Sequence, residues 1–266
     1  MTELTEPLVL VEQDEHVAYL TFNRPAKKNA LNNPLLDQMV AALRAANADD
    51  NVHVIVLRGA GGVFSSGRDF SMFDDRAALG DQSVDKSVDV FLEMLSLLME
   101  IPKPTIASIE GLALGGGQAT SLACDFVVAE RGASFGNVEM AYGFPAAMNT
   151  VLLTRHVGRR IGMEIAITGD VYTAEQYHGY GLVNRLAEPG QLAETTREFA
   201  ALLASRAPWA VQRTKSTYRM AEDMDLTGAM HVGNQLNQLL RLNGQLETVH
   251  SGDSSVKDAL KSDLKS

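Results

Sequence analysis

The sequence predicts an α/β fold that gives way to a helical C-terminal region. Three features lead there. "VHVIVLRG", Val52 to Gly59, is a continuous β-branched run, the pattern of a strand buried on both faces. Strand-like and helix-like runs alternate up to about Gln191, the rhythm of an α/β domain. Beyond that point only helical spacing of apolar residues remains.

The elements follow in order. "LVLVE" and "HVAYLTF" (His16 to Phe22) flank Gln13 to Glu15, so the chain opens with a hairpin, and the second run alternates as a half-buried strand does. Asn33 and Pro34 form an N-cap and first-turn pair, and Leu35, Leu36, Met39, Val40 and Leu43 line one face of the helix they start. After the Val52 to Gly59 strand, Val88, Phe91, Leu92, Leu95, Leu98 and Met99 mark a second helix, and Pro104 leads into a buried strand over 105–109. A glycine turn, a short helix to about Ala123 and a strand at 125–129 come next. The helical remainder, "APWAVQRTKSTYRMAEDM" and "MHVGNQLNQLLRLNGQLETV", carries Leu236, Leu239, Leu240 and Leu246 at helical spacing and is a candidate oligomer interface; the closing "SGDSSVKDALKSDLKS" is polar and expected to be loosely ordered.

Composition narrows the function. A chain of 266 residues with 45% hydrophobic content is long enough to bury its own core. Its single cysteine, Cys124, sits among small apolar residues, so it reads as an inert buried thiol and no disulfide framework exists. The N-terminus is acidic with a short apolar run, unlike a signal or transit peptide, and no window is long enough for a membrane span, so a cytoplasmic location is expected. The net charge of -10 argues against nucleic acid, which needs a basic face to displace counterions. A small anionic ligand needs only a local cluster, and Arg24, Lys27 and Lys28 in "NRPAKKNA" form one, unless that loop is simply solvated.

Glycine-rich turns after strands first suggest phosphate binding, but the spacing fails. "GAGGVF" has Phe64 where a dinucleotide fingerprint needs its third glycine, and "GLALGGG" is followed by neither the lysine nor the hydroxyl of a P-loop. The six histidines show no HExxH and no close pair, so no metal site is expected. "GASFG", Gly132 to Gly136, fits the G-x-S-x-G elbow of hydrolases with Ser134 as nucleophile and His156 downstream. The irregular chain after it lacks the strand-to-helix turn that an elbow needs, so Ser134 reads as a small packed residue.

Two glycine turns, "GGVFSSGRDF" and "GLALGGGQ", each follow a buried strand and leave main-chain N–H groups unpaired. Two such turns brought together make an oxyanion hole, in which removal of one donor costs on the order of 3 kcal/mol. A proton carrier is then needed, and Glu139 in "FGNVEMAYGFP" is flanked by residues that would desolvate it and raise its pKa, unless it is a surface glutamate in a loop.

The ordered set "NRPAKKNALN", "VFSSGRDF", "GLALGGGQATSLACDFVVA", "ASFGNVE" and "ITGDVYTAEQYHGYGLVNRL" resembles the crotonase superfamily, the enoyl-CoA hydratase and isomerase family, over nearly the whole chain. The resemblance implies a spiral of ββα turns forming an acyl-CoA-binding core over 1–195, then a helical region over 196–266 that builds a homotrimer or a dimer of trimers. It implies that the coenzyme A thioester is the substrate and that no separate cofactor is needed. Carried over by position, the oxyanion donors would be the N–H groups of Arg68 and Gly116, with Asp69 fixing the first turn. Lys28, Ala30, Leu31, Ser66 and Gly115 would line the coenzyme A path, with Arg24, Lys27 or Lys28 near its phosphates.

Glu139 falls on one of the family's catalytic glutamates. The second hydratase glutamate falls on Ala119. Hydratases of the family resemble one another in holding a water between two glutamates, so this chain is more similar to isomerases that move a double bond from the 3 to the 2 position with one carboxylate. Hydration with one glutamate and a non-catalytic acyl-CoA-binding or scaffold subunit are the alternatives. The dienoyl-CoA isomerase and dehalogenase branches need an aspartate where this chain has Ala146, Ala147 and Met148. Acyl-group choice would rest with the polar segment from Ser71 to Ser87.

Overall fold

A computed structural model describes residues 6–69 and 83–242 of the chain. Most of the segment from Ser71 to Ser87, Leu246 and the polar tail lie outside the described residues.

Strands β1 (Val9–Asp14) and β2 (Val17–Phe22) form the opening hairpin, antiparallel with Val9 opposite Phe22 and Asp14 opposite Val17. Strands β3 (Val54–Gly59), β4 (Thr105–Ile109), β6 (Phe126–Glu130) and β9 (Arg185–Ala187) extend this sheet in parallel, in the order β1-β2-β3-β4-β6-β9. A smaller sheet is built from β5 (Leu112–Leu114), β7 (Ser134–Gly136) and β8 (Val171–Thr173), with β5 and β7 parallel and β8 antiparallel to β7.

Both faces of the large sheet are covered. Ala18, Leu20 and Phe22 of β2, Ile55 and Leu57 of β3 and Ala107 and Ile109 of β4 join the main core with helices α1 (Asn33–Ala48) and α2 (Ser83–Glu100). The alternate positions Val17, Tyr19, Val54, Val56, Ile106 and Val128 face a second cluster with Leu192, Phe199 and Ala200 of helix α7 (Leu192–Ala204). This explains a departure from expectation. The β2 pattern suggests a half-buried strand, yet all six of its residues are buried, because α7 lies over the face that the alternation left for solvent. Under α7 the Ser108 and Thr196 hydroxyls satisfy each other at 2.9 Å.

Local chemistry sets the element ends. Helix α1 is capped by Asn32, whose Oδ1 accepts from the Leu35 N–H at 3.2 Å; the expected cap, Asn33, is already the first helical residue ahead of Pro34. At the other end the buried Lys103 ammonium donates to the Ala46 and Asp49 carbonyls at 2.9 and 2.6 Å, satisfying groups that a helix C-terminus leaves open. Asp125 accepts from both the N–H and the hydroxyl of Thr105, which fastens β4 to the start of β6.

The remaining helices are α3 (Gly116–Ala123), α4 (Ala147–His156), α5 (Arg159–Thr168), α6 (Ala174–Gly179), α8 (Pro208–Glu222) and α9 (Leu226–Leu242). The chain divides into two compact units, Met1–Gln212 and Arg213–Ser266. The division expected at 195/196 falls inside α7. Within the second unit, Asp225 accepts from the Gly228 N–H at 2.8 Å at the start of α9, and Tyr218, Met220, Met224, Leu226, Met230 and Leu239 are exposed. No helix of the described residues is long and apolar enough to cross a membrane.

Candidate active site

Three backbone segments run side by side where β2, β3 and β4 end. Ser65 N–H donates to Leu112 at 2.9 Å, and Leu114 N–H returns a bond to Ser65 at 3.1 Å. On the other side Leu31 N–H donates to Gly67 at 2.8 Å and Asp69 N–H to Leu31 at 3.1 Å. These bonds bring the two glycine turns together. A Cβ built on Gly116 would lie 3.3 Å from the Arg68 nitrogen, and one built on Gly67, at φ +101°, would lie 3.3 Å from the Gly116 nitrogen and 2.8 Å from the Leu114 oxygen. Gly116 opens α3, where helix geometry leaves its N–H without an intrahelical acceptor. The Arg68 guanidinium lies 5.2 Å over the Phe91 ring of α2 and reaches Asn33 at the start of α1, so its side chain belongs to the packing of these two helices.

The basic loop is held by a residue that the sequence did not single out. Asn29 is fully buried; its oxygen accepts from the Arg24 N–H at 2.8 Å, and its amide donates to the Ala60 and Val63 carbonyls. Arg24 is turned to Asp69 in a 3.0 Å ion pair, with both side chains 16% exposed, and also donates to the Ala30 carbonyl. Its charge is thereby committed to the glycine turn that follows β3. Lys27 and Lys28 are exposed, with Lys28 in the left-handed region at φ 49°, and Ser66 N–H donates to the Lys28 carbonyl at 2.9 Å.

The carboxylate comes from the opposite wall. After β7 the chain forms a short 3-10 helix, Val138–Tyr142, ending at Gly143 in the left-handed region. The stretch expected to be irregular is thus ordered into this helix and α4. Within it the Phe144 N–H donates to the Glu139 carbonyl at 3.1 Å. A Cβ on Gly115, at φ +49°, would lie 2.9 Å from Glu139 Oε2, so the bare glycine is what lets the carboxylate lie against the turn. Oε2 is buried and has no hydrogen-bond partner among the described residues. Burial raises the Glu139 pKa above its ordinary value; hydrogen bonds from the backbone and from Asn149 offset this only in part. Asn149 donates to Oε1 at 3.4 Å and to the Gly115 carbonyl at 2.9 Å.

Two backbone turns brought together beside a desolvated carboxylate supply the kinds of group needed to polarise a carbonyl and move a proton next to it. A family model for enoyl-CoA hydratase/isomerase matches residues 12–244. The chain belongs to the enoyl-CoA hydratase/isomerase family. It is 32% identical over 258 residues to a 2,3-dehydroadipyl-CoA hydratase of Escherichia coli K12, covering 97% of this chain and 98% of that one. It is likewise 32% identical over 224 residues to a short-chain-enoyl-CoA hydratase of Clostridium acetobutylicum, covering 84% and 85%. The crystal structure of an enoyl-CoA hydratase from Bacillus anthracis superposes with a TM-score of 0.81 at 29% identity, over 91% of this chain and 96% of that one. This enoyl-CoA hydratase/isomerase family member has the crotonase fold expected from its motifs and is an acyl-CoA enzyme.

Of the residues singled out in the sequence, the fold gathers Arg68, Gly115, Gly116 and Glu139 at one place and sets Leu31 beside Gly67, next to the Arg68 turn. Ser134 opens β7 in the middle of the small sheet, and His156 is bonded to the Leu122 carbonyl, so neither stands at a hydrolase elbow. Asn149, Gln118 and Asn29 were missed. Each is a buried amide with at least one partner some thirty residues or more away in sequence, and only the asparagine inside "KKNAL" left a local trace.

Proposed function

We propose that this acyl-CoA enzyme holds a thioester oxygen at the Arg68 and Gly116 amides and uses Glu139 as its single proton shuttle, favouring isomerisation of 3-enoyl-CoA to 2-enoyl-CoA. The observation that carries this reading is Glu139 Oε2, buried, unpartnered among the described residues and lying against Gly115. In the forward step Oε2 takes the α-proton, and the electron pair enters the thioester oxygen to give a dienolate facing the two amides. The proton then returns at the γ-carbon, leaving the double bond conjugated and Glu139 ionised again. Nothing but the coenzyme A thioester is consumed, so no separate cofactor is required.

Ala119 supports the preference. It is buried in the second turn of α3, at the position where the family's hydratases resemble one another in carrying a second glutamate, and a methyl group cannot share a water with Glu139. Hydration is the competing reading, and the hydratase names of the relatives favour it. In the coenzyme A path, the exposed Lys27 and Lys28 are better placed for phosphates than Arg24, whose charge Asp69 takes. The assay uses 3-hexenoyl-CoA for double-bond migration and crotonyl-CoA for hydration. Migration is expected to be the faster reaction, and Ala119→Glu is expected to raise hydration at its expense. A strong hydratase rate in the unmodified protein would sink the isomerase assignment.

A further inference from the structure

Behind Glu139 lies a chain of buried polar side chains whose direction is fixed. Asn137 donates to the Ile165 carbonyl at 2.9 Å and Asn149 to the Gly115 carbonyl at 2.9 Å. A carbonyl only accepts, so both asparagines must turn their nitrogens to the backbone and their oxygens to Gln118. Gln118 therefore presents its nitrogen to both, 3.0 Å from Asn137 Oδ1 and 3.4 Å from Asn149 Oδ1. Its own oxygen is left for Tyr177, which donates to it at 2.7 Å. The Tyr177 phenol is itself buried, and burial drives its pKa far above the ordinary range, so it stays a donor at every working pH. Stacking on Phe135, with centroids 4.5 Å apart, holds the ring.

We propose that Asn149 is a positioning residue for Glu139, aimed through Gln118 by Tyr177, and that it selects Oε2 as the oxygen offered to substrate. Its second N–H engages Oε1, so one carboxylate oxygen is restrained and the other is left bare beside Gly115. Among the described residues, burial, a backbone hydrogen bond and the bond from Asn149 are what perturb Glu139, with no charged side chain among the causes. The inference rests on Glu139 being the proton carrier, and the experiment separates the two.

The full chain is labelled with 13C at the glutamate side-chain carboxyl carbon, and the Glu139 signal is assigned by its loss in Glu139→Gln. Its titration is followed in the unmodified protein, in Asn149→Leu, which keeps the volume without the N–H, and in Tyr177→Phe, which removes only the hydroxyl. Loss of the Asn149 donor is expected to move the titration midpoint up by about one unit, because a bond favouring the charged form is gone. With 3-hexenoyl-CoA the acid limb of the rate should move with it, and kcat should fall about tenfold with KM within about threefold. Tyr177→Phe should give a smaller shift of the same sign. A folded Asn149→Leu protein whose midpoint is unchanged would overturn the inference. Should that variant not fold, Tyr177→Phe decides in the same way: an upward shift supports the positioning chain, no shift ends it. Full turnover in Glu139→Gln would instead remove the functional reading, while the carboxyl titration would still judge the role of Asn149.

Discussion

The two walls of the site are built from different material. The glycine wall, 65–69 and 112–116, is main chain held by main chain, with Leu31, Ser65 and Leu114 exchanging bonds along its length. The acid wall is held by side-chain amides reaching across the fold from Asn149 and Gln118. Side-chain identity enters the first wall at two points, the Ser65 hydroxyl that accepts from the Gly67 N–H at 3.1 Å and the Asp69 carboxylate paired with Arg24, and otherwise only where a Cβ would intrude. The second depends on donors and acceptors that single substitutions remove. In the proposed reaction, position is therefore set largely by backbone on the side that would receive charge, and by side chains on the side that would move the proton.

The comparison breaks first at Glu139. Glu139→Gln keeps the shape and the bond to Asn149 but cannot accept a proton, and kcat on 3-hexenoyl-CoA is expected to fall about 10²- to 10⁴-fold. A smaller effect is expected where the walls touch. In Gly115→Ala the new methyl would meet Glu139 Oε2 at 2.9 Å from a backbone at φ +49°, so kcat should fall at least tenfold and stability by about 1–2 kcal/mol, read from kinetics and thermal unfolding. Gly132→Ala is its control: nothing lies within 4 Å there, and a change under about 0.5 kcal/mol is expected.

The gentlest test is pH. The folded Glu139 carboxyl titrates above its ordinary 4.5, so between the two values the native state holds more protons than the unfolded chain. Its contribution to stability is then lost as pH rises through that window, while activity, which in the proposed mechanism needs the ionised carboxylate, is expected to rise through the same window. Stability of Glu139→Gln relative to the unmodified protein should grow with pH there, measured by denaturant unfolding across a pH series. A flat difference would mean that Glu139 is not desolvated.

How much of this could be read in advance follows from the same contrast. A glycine needed for close approach is visible locally, so "LGGG" and "SSGRD" announced the first wall. The β-branched run of β3 and Pro104 before β4 were equally legible, because strand burial leaves a short-range pattern. The amide chain was not. Gln118 meets partners 19, 31 and 59 residues away, a separation that no periodicity records, and beside the triple glycine it looked inert. The three-residue strands of the small sheet are too short to show alternation, and the cover that α7 gives β2 is a tertiary fact that a strand pattern cannot anticipate.

The bond from the Phe144 amide to the Glu139 carbonyl makes the acid report on itself. With the Gly143 N–H, which bonds to the Glu139 and Met140 carbonyls, that hydrogen closes the turn carrying the carboxylate, so the turn cannot open without exposing the Phe144 amide to solvent. Deuterium uptake at Phe144 therefore counts the fraction of molecules whose Glu139 has left its seat, and a bound thioester that engages Glu139 in the proposed way is expected to slow that exchange rate.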